Sequence, residues 1–176
     1  ADVQEADSSP PTHDFLNVPS SKPSAGPVAP SAVLPPEGEI DRAAEVVDRG
    51  DKVAVLIGQG ARGAEEEVQA FADATGAGVA KALLGKDVLD DTLSYVTGSI
   101  GLLGTRPSWE LMRDCDTLVI VGSNMPYTQF LPPFGRKAIQ IDLAPGRIGL
   151  RYPTEVNLVG DAATTLRALT DRLTRD

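Results

Sequence analysis

Residues 52–63 read KVAVLIGQGARG, an aliphatic run followed by three glycines with the spacing G-x-G-x-x-G. The aliphatic run predicts a buried strand from Lys52 to Ile57. The residues after the glycines predict a helix that Gly76 ends, with an apolar stripe at Ala64, Val68, Phe71, Ala72 and Thr75. A strand, a glycine-rich turn and a helix in this order are typical of α/β sheets that bind nucleotides.

Strands and helices also alternate on both sides of this unit. Upstream, apolar residues from Ile40 to Val47 predict a helix that Gly50 closes. Downstream, the pattern predicts two more helices: one that runs through Cys115 with Pro107 in its first position, and a last one capped by Asp161. It also predicts five more strands, at 79–83, 95–97, 117–121, 138–141 and 156–159. This alternation favours a Rossmann-like, doubly wound α/β fold, with six mostly parallel strands and helices on both faces.

Residues 1–38 differ in composition from the rest of the chain. They contain eight of the 14 prolines and no sustained apolar periodicity. Such a composition predicts an extended linker from a preceding domain, or alternatively a tether that lies along a neighbouring domain. We therefore divide the chain into a linker at 1–38 and a nucleotide-binding domain at 39–176.

Composition excludes several classes of function. The formal net charge of −9 argues against nucleic-acid binding, which depends on clustered Lys and Arg. The single cysteine, Cys115, and the single histidine, His13, exclude an internal disulfide and a zinc site made of several Cys or His ligands.

No apolar run reaches the roughly 18 residues of a membrane span, and the start does not resemble a signal peptide. We expect a cytoplasmic protein with no catalytic residue or metal ligand in this chain. Among its few aromatic residues, we expect Phe71 and Trp109 to lie in the core.

Three loops should meet at the carboxyl edge of the sheet, where open α/β sheets bind ligands. The glycines of the loop at 58–63 would let the backbone approach a phosphate at the helix N-terminus, or else form a tight turn that binds nothing. The loop at 122–127 offers hydroxyl, amide and backbone donors. The loop at 98–104 would contact a flat apolar ring, or else form a flexible surface loop, in which exposed Ile100, Leu102 and Leu103 would be hard to explain.

Two charged residues extend this candidate site. Asp142 follows the strand at 138–141, where a carboxylate can accept two ribose hydroxyls or simply cap a loop. Arg147 would neutralise a diphosphate or remain a solvated surface charge. The second strand lacks the acid of a standard NAD fingerprint, since no carboxylate follows it until Asp87. The pattern therefore argues against an ordinary dehydrogenase.

Six motifs together resemble the central domain of thiamine-diphosphate-dependent enzymes, over about Glu39 to Leu173. In chain order they are GQGARGAEEEV, KALLGKD, GSIGLLGTRPS, CDTLVIVGSNMPY, QIDLAPGRIGLRYP and VNLVGDAATTLRAL. The nearest members are pyruvate oxidase and the quinone-linked pyruvate dehydrogenase, with acetolactate synthase next. In flavin-containing members this domain binds FAD, whereas others have lost FAD or hold a different adenine nucleotide.

The resemblance implies a larger parent enzyme that decarboxylates a pyruvate-like 2-oxo acid. Thiamine diphosphate and magnesium would be bound by N- and C-terminal domains outside this chain, in a homo-oligomeric dimer or tetramer. This chain alone would be inactive. The same resemblance assigns cofactor contacts to five groups of residues. The nucleotide part would contact Gly58, Gly60 and Ala61, and the diphosphate would contact Arg62. The flavin would contact Gly101 and Leu102, and the flavin groove would be lined by Ser123, Asn124, Met125 and Tyr127. The adenosine ribose would be held by Asp142, with Arg147 and Asp161 nearby.

Two other functions share the predicted fold. One is a structural spacer whose vacant pocket only supports assembly of the parent. The other is an electron-transfer or sirtuin-like domain. A sirtuin requires a catalytic histidine on the sheet, and the only histidine, His13, lies in the predicted linker.

Overall fold

The structure, a computed structural model, describes residues 32–174. Within them the helices are α1 (Glu37–Asp48), α2 (Glu65–Thr75), α3 (Arg106–Asp114) and α4 (Ala162–Thr170). The strands are β1 (Val53–Ile57), β2 (Gly78–Lys81), β3 (Val96–Ser99), β4 (Thr117–Val121), β5 (Lys137–Asp142) and β6 (Val156–Val159). The predicted linker falls mostly outside the described residues. Helix α1 begins at Glu37, so its first two residues, 37 and 38, belong to the predicted linker. No helix within the described part of the chain has the length and apolar character needed to cross a membrane.

The six strands form one sheet in the order β3-β2-β1-β4-β5-β6. Every neighbouring pair is parallel, so the sheet is entirely rather than mostly parallel. The predicted Rossmann-like, doubly wound fold is confirmed. The chain adds β2 and β3 on one side of β1 and then β4, β5 and β6 on the other side, so the strand order reverses between β1 and β4. In such sheets, ligands bind at the carboxyl ends of the two strands that flank this reversal.

Helices cover both faces of the sheet, as predicted, but unequally. Helices α1, α2 and α4 pack on one face, where Ile40, Phe71 and Leu166 are fully buried. Helix α3 packs on the other face through Met112. The connections after β4 and β5 complete this second face with residues that include Tyr152. Part of the second face is therefore formed by irregular segments instead of a helix.

Capping residues fix two of the helix starts. The Oγ1 of Thr105 accepts the Ser108 backbone N–H, so α3 begins at Arg106 and Pro107 occupies its second position, not the first. Asp161 caps α4 as predicted, because its Oδ1 accepts the Thr164 backbone N–H at 3.0 Å.

The expectation that Trp109 lies in the core is wrong, since 44% of it is exposed. On α3 the buried residues are Ser108 and Met112, four positions apart and therefore on one side of the helix. Trp109 follows Ser108 directly, so its side chain leaves the helix on a different side, which is partly exposed. There the guanidinium of Arg113 lies over its ring, 4.7 Å from the ring centroid. Phe71, by contrast, is fully buried as expected.

One prediction near the carboxyl edge of the sheet also needs correction. The second strand ends at Lys81 instead of Leu83, because residues 83–85 turn into a single 3-10 turn. In the loop after β3, Ile100 is buried, with 4% exposed, because it packs in the core of the α3 face, whereas Leu102 and Leu103 are exposed.

Cys115 provides a test of the packing on this face. Only 1% of it is exposed, and burial raises the pKa of its thiol from 9.0 to about 11. Thiol reagents attack the thiolate, so we expect modification at pH 8 to be at least about 100-fold slower than in the urea-unfolded chain. Absorbance of the leaving group of an aromatic disulfide reagent measures both rates, and Cys115→Ser gives the blank. Equal rates would contradict the buried position.

Candidate functional site

The loops after β1 and β4 touch backbone to backbone at the point where the strand order reverses. The Gly60 N–H donates to the Gly122 carbonyl at 3.0 Å. A Cβ added to Gly58 would lie 2.4 Å from that same carbonyl oxygen. A Cβ added to Gly122, whose φ is +56°, would lie 2.4 Å from the Gly60 Cα. Glycine is therefore required here for the two loops to approach each other.

This contact changes the interpretation of the glycine-rich turn. The space that Gly58 and Gly60 leave open is filled by the chain's own backbone. Three acids, Glu65, Glu66 and Glu67, occupy the first turn of α2, and the Glu65 carboxylate accepts the Gly63 N–H at 2.9 Å. Negative side chains at a helix N-terminus compete with a bound phosphate. The geometry thus fits the tight-turn alternative better than a phosphate site.

Arg62 is directed to a neighbouring loop. Its guanidinium donates two hydrogen bonds to Asp87, at 3.1 and 3.0 Å, and one to the Leu84 carbonyl at 3.0 Å. The hydrogen bonds from Arg62 lower the pKa of the Asp87 carboxyl, and those to Asp87 raise the pKa of Arg62. The diphosphate role of Arg62 stays a prediction, and its guanidinium is already engaged in this structure.

The connection after β2 is held by a second cation. Lys81 is only 1% exposed, and its Nζ donates to the Leu89 carbonyl at 2.7 Å and pairs with Asp91 at 2.6 Å. Arg62 and Lys81 therefore each bind one main-chain carbonyl and one carboxylate of the segment 83–91. These contacts fix the position of the two leucines that begin the segment.

A cleft of about 490 Å³ lies at the carboxyl edge of the sheet, a size common for ligand sites. Four apolar side chains, Leu83, Leu84, Ile100 and Met125, contribute to its wall. From residues 32–174, the lining consists of Gly58, Gln59, Ala82, Leu83, Leu84, Ile100, Gly122, Ser123, Asn124, Met125, Pro126, Tyr127 and Arg147.

Among the described residues, Arg147 is the one charged residue in that lining. Its backbone is fixed, because its N–H donates to the Ala144 carbonyl at 3.0 Å and its carbonyl accepts from Gln140 at 3.3 Å. None of the ion pairs formed within residues 32–174 includes its guanidinium. A cation without a carboxylate partner at the rim of an apolar cleft is suited to bind an anion.

Asp142 ends β5 at the same edge but lies outside the cleft lining. It is 6% exposed, and its Oδ1 accepts the Ala144 N–H at 2.8 Å. The loop-capping alternative is therefore present in the structure, and the ribose role stays a prediction. Asp161 is engaged in capping α4. Among residues 32–174, no group of three or more His, Cys, Asp and Glu could hold a metal ion.

The predicted site residues fall into two groups. Those that line the cleft together are Gly58, Ser123, Asn124, Met125, Tyr127 and Arg147. Those outside the lining are Gly60, Ala61, Arg62, Gly101, Leu102, Asp142 and Asp161. Gly101 borders the cleft, since a Cβ added there would lie 3.5 Å from the Met125 Cε, whereas Ala61 is fully buried in the core.

Sequence reasoning assigned no cofactor contact to seven of these lining residues, of which the first four lie in the three predicted loops: Gln59, Ile100, Gly122, Pro126, Ala82, Leu83 and Leu84. The segment 82–84 could have been found, because it follows β2 and the carboxyl ends of parallel strands share one edge. Ile100 lies in the predicted loop at 98–104, and no sequence signal distinguishes it, as a buried residue, from the exposed leucines that follow.

Comparison with known proteins identifies the family. The family described as "Thiamine pyrophosphate enzyme, central domain" matches residues 40–169. YdaP of Bacillus subtilis, whose name describes a thiamine pyrophosphate-containing protein, is 36% identical over 141 residues, which are 80% of this chain and 24% of YdaP. Pyruvate oxidase of Lactiplantibacillus plantarum is 24% identical over 132 residues, covering 74% of this chain and 22% of that protein. The chain thus spans about a quarter of the length of these relatives.

A solved structure has the same fold. It is described as a thiamin diphosphate-dependent enzyme from Mycobacterium smegmatis, and it superimposes with a TM-score of 0.72 at 23% identity, over 89% of this chain and 31% of that one. All six motifs that carry the resemblance lie within the matched residues. The chain belongs to the thiamine pyrophosphate enzyme family, as its central domain.

Proposed function

We propose that the cleft binds FAD or a related adenine nucleotide, within a parent enzyme that decarboxylates a pyruvate-like 2-oxo acid. One observation carries this proposal: the cleft at the strand-order reversal combines an apolar wall with a single cation, Arg147, that has no ion-pair partner within residues 32–174. A flavin nucleotide has matching parts, namely a flat apolar ring and a diphosphate. The name of the relative pyruvate oxidase supports the substrate class.

Each part of the cleft would then have its own role. Ile100 and Met125 would pack against the ring, and Gly101 would leave room for it beside Met125. Arg147 would neutralise the diphosphate, and Asp142 would accept hydrogen bonds from a ribose. FAD, when bound, would supply an acceptor for electrons, while this domain binds and orients it.

The remaining parts of the proposal concern the parent. Thiamine diphosphate and magnesium would be held by N- and C-terminal domains, in a cytoplasmic dimer or tetramer that acts as an oxidase, a dehydrogenase or an acetolactate synthase-like enzyme. Relatives named acetolactate synthase and sulfoacetaldehyde acetyltransferase support this range of reactions. This chain alone would be inactive because those domains supply the thiamine diphosphate.

Direct binding tests the proposal. FAD added to the purified chain should lose fluorescence on binding and raise the melting temperature, and ADP should compete with it. The acidic first turn of α2 and the packed glycines favour the competing function, a structural spacer. Neither quenching nor a raised melting temperature at millimolar FAD would overturn nucleotide binding and favour the spacer.

Asp142→Asn tests the ribose contact. The amide keeps an oxygen for the Ala144 N–H but loses the negative charge, so we expect FAD and ADP to bind about tenfold more weakly. Isothermal titration calorimetry measures both affinities. Asp90→Asn is the matched control, because the Asp90 Oδ1 likewise accepts the N–H two residues on, from Thr92 at 2.8 Å, and Asp90 lies outside the cleft lining. Unchanged affinity in Asp142→Asn would remove Asp142 from the site.

A further inference from the structure

A second cavity, of about 410 Å³, lies between α3 and the connection that follows β4. It shares no lining residue with the first cleft. The sequence motifs did not indicate it, and the proposed nucleotide site makes no use of it.

Aromatic side chains are concentrated in this cavity. The whole chain has eight aromatic residues, one Trp, three Tyr and four Phe. Four of them line this one cavity: Trp109, Phe130, Phe134 and Tyr152. Phe134 is 81% exposed and Trp109 is 44% exposed, so large apolar rings face solvent here although few are available for the core. Exposed aromatic faces grouped in a concave site favour a flat ring as the occupant.

The aromatic wall is formed in advance of any ligand. The rings of Phe134 and Tyr152 stack with centroids 6.0 Å apart and an angle of 13° between their planes. Tyr152 is 2% exposed, and its hydroxyl donates to the Pro133 carbonyl at 2.8 Å. A ligand that stacks on Phe134 would therefore meet a surface that needs little ordering.

The charge of the cavity is the reverse of the charge of the chain. Within the part of the chain that the structure describes, its only charged lining residues are Arg113 and Arg151, although the net charge of the whole chain is −9. Arg113 stacks on Trp109 and is paired with Asp114. Arg151 donates one long hydrogen bond, of 3.3 Å, to the neutral amide of Asn124, and no ion pair within residues 32–174 includes it. Most of the donors of Arg151 thus remain available for a carboxylate, which it can bind in a bidentate manner.

We propose that this second cavity binds a small planar aromatic carboxylate. The ring would pack against Trp109 and Phe134, and the carboxylate would pair with Arg151. A segment of another domain of the parent is the competing occupant. If the cavity is instead occupied by such a segment, the isolated chain needs no affinity for a small aromatic carboxylate. Binding of small probes to the isolated chain therefore distinguishes the two occupants.

Three probes test the proposal on the chain itself. They are 2-naphthoate, its neutral analogue 2-naphthamide, and cyclohexanecarboxylate, which has the charge but no flat ring. Because the chain has one tryptophan, a ¹⁵N-labelled sample gives a single indole N–H signal, that of Trp109 inside the cavity. We expect 2-naphthoate to shift this signal in a saturable way and to bind about tenfold more tightly than either analogue. Equal binding of all three probes, or no saturable shift at 5 mM (roughly the weakest useful affinity), would overturn the proposal.

Two variants locate the contacts. Arg151→Gln should weaken 2-naphthoate about tenfold and leave 2-naphthamide unchanged. Phe134→Ala, at a side chain exposed enough to be removed without unfolding the chain, should weaken both aromatic probes. Arg106→Gln is the matched control, since Arg106 is an exposed arginine of α3 outside the lining and its loss changes the net charge equally. If Arg106→Gln weakens 2-naphthoate as much as Arg151→Gln does, the specific pairing with Arg151 is wrong.

Discussion

Gly122→Ala should lower the free energy of unfolding by about 3 kcal/mol, from the sum of left-handed backbone strain and overpacking. The first contribution arises because Gly122 has a φ of +56°, which L-residues adopt at a cost of about 1–2 kcal/mol. The second arises because the new Cβ would lie 2.4 Å from the Gly60 backbone, where no flexible side chain can move away. Urea unfolding followed by circular dichroism measures the change.

Gly76→Ala is the matched control for this prediction. Gly76 has a similar φ of +66°, at the end of α2, but a Cβ added there meets nothing within 4 Å. Alanine at this position should therefore carry only the backbone strain, about 1 kcal/mol. If the two variants are equally destabilised, the close contact between the loops after β1 and β4 does not exist as described. The proposed nucleotide site would also lose the rigid floor that this contact gives it.

Arg147→Gln should weaken binding of FAD and ADP about 10- to 30-fold, through loss of charged hydrogen bonds to the diphosphate. Adenosine, which has no phosphate, should bind both proteins equally. Calorimetric titration of ADP and adenosine separates these two effects, because a general disturbance of the cleft would weaken both ligands.

Arg62→Gln distinguishes the two arginines that the sequence proposed for the diphosphate. Arg62 is bound to Asp87 and the Leu84 carbonyl and lies outside the cleft lining. Its replacement should therefore change ADP affinity by no more than about twofold, as expected for an exposed ion pair that does not touch the ligand. A larger effect in Arg62→Gln than in Arg147→Gln would mean that Arg62 leaves Asp87 when a nucleotide binds.

The elements of the fold could be predicted because each carries its own local signal. The stripes of α1, α2 and α4 have the helical period, whereas the aliphatic runs at β1 and β4 indicate strands because they are short, rich in β-branched residues and followed by glycine. Asp161 could be recognised as a cap from its position alone. Element ends were less certain, since the sequence after Lys81 continues with apolar residues although the strand stops there.

The candidate site was only partly predictable, because its geometry depends on residues far apart in the chain. Nothing near Arg62 in the sequence indicates that its partner is Asp87. Likewise, Gly58 and Gly60 match a phosphate-binding pattern locally, but their space is filled by Gly122, which follows another strand. Trp109 was misplaced for a similar reason, since one position on a helix separates a buried side chain from an exposed one.

The strand order also affects how this domain can form during synthesis. The central strand β1 pairs with β4, so that Val53 lies beside Thr117, and β4 is in turn completed by β5. A ribosome must therefore produce most of the domain before its central strand has both neighbours. Until then β1, an aliphatic segment, has an unpaired edge that can associate with other chains. Such long-range pairing makes folding slow, and it gives chaperones a defined interval in which to protect the nascent chain.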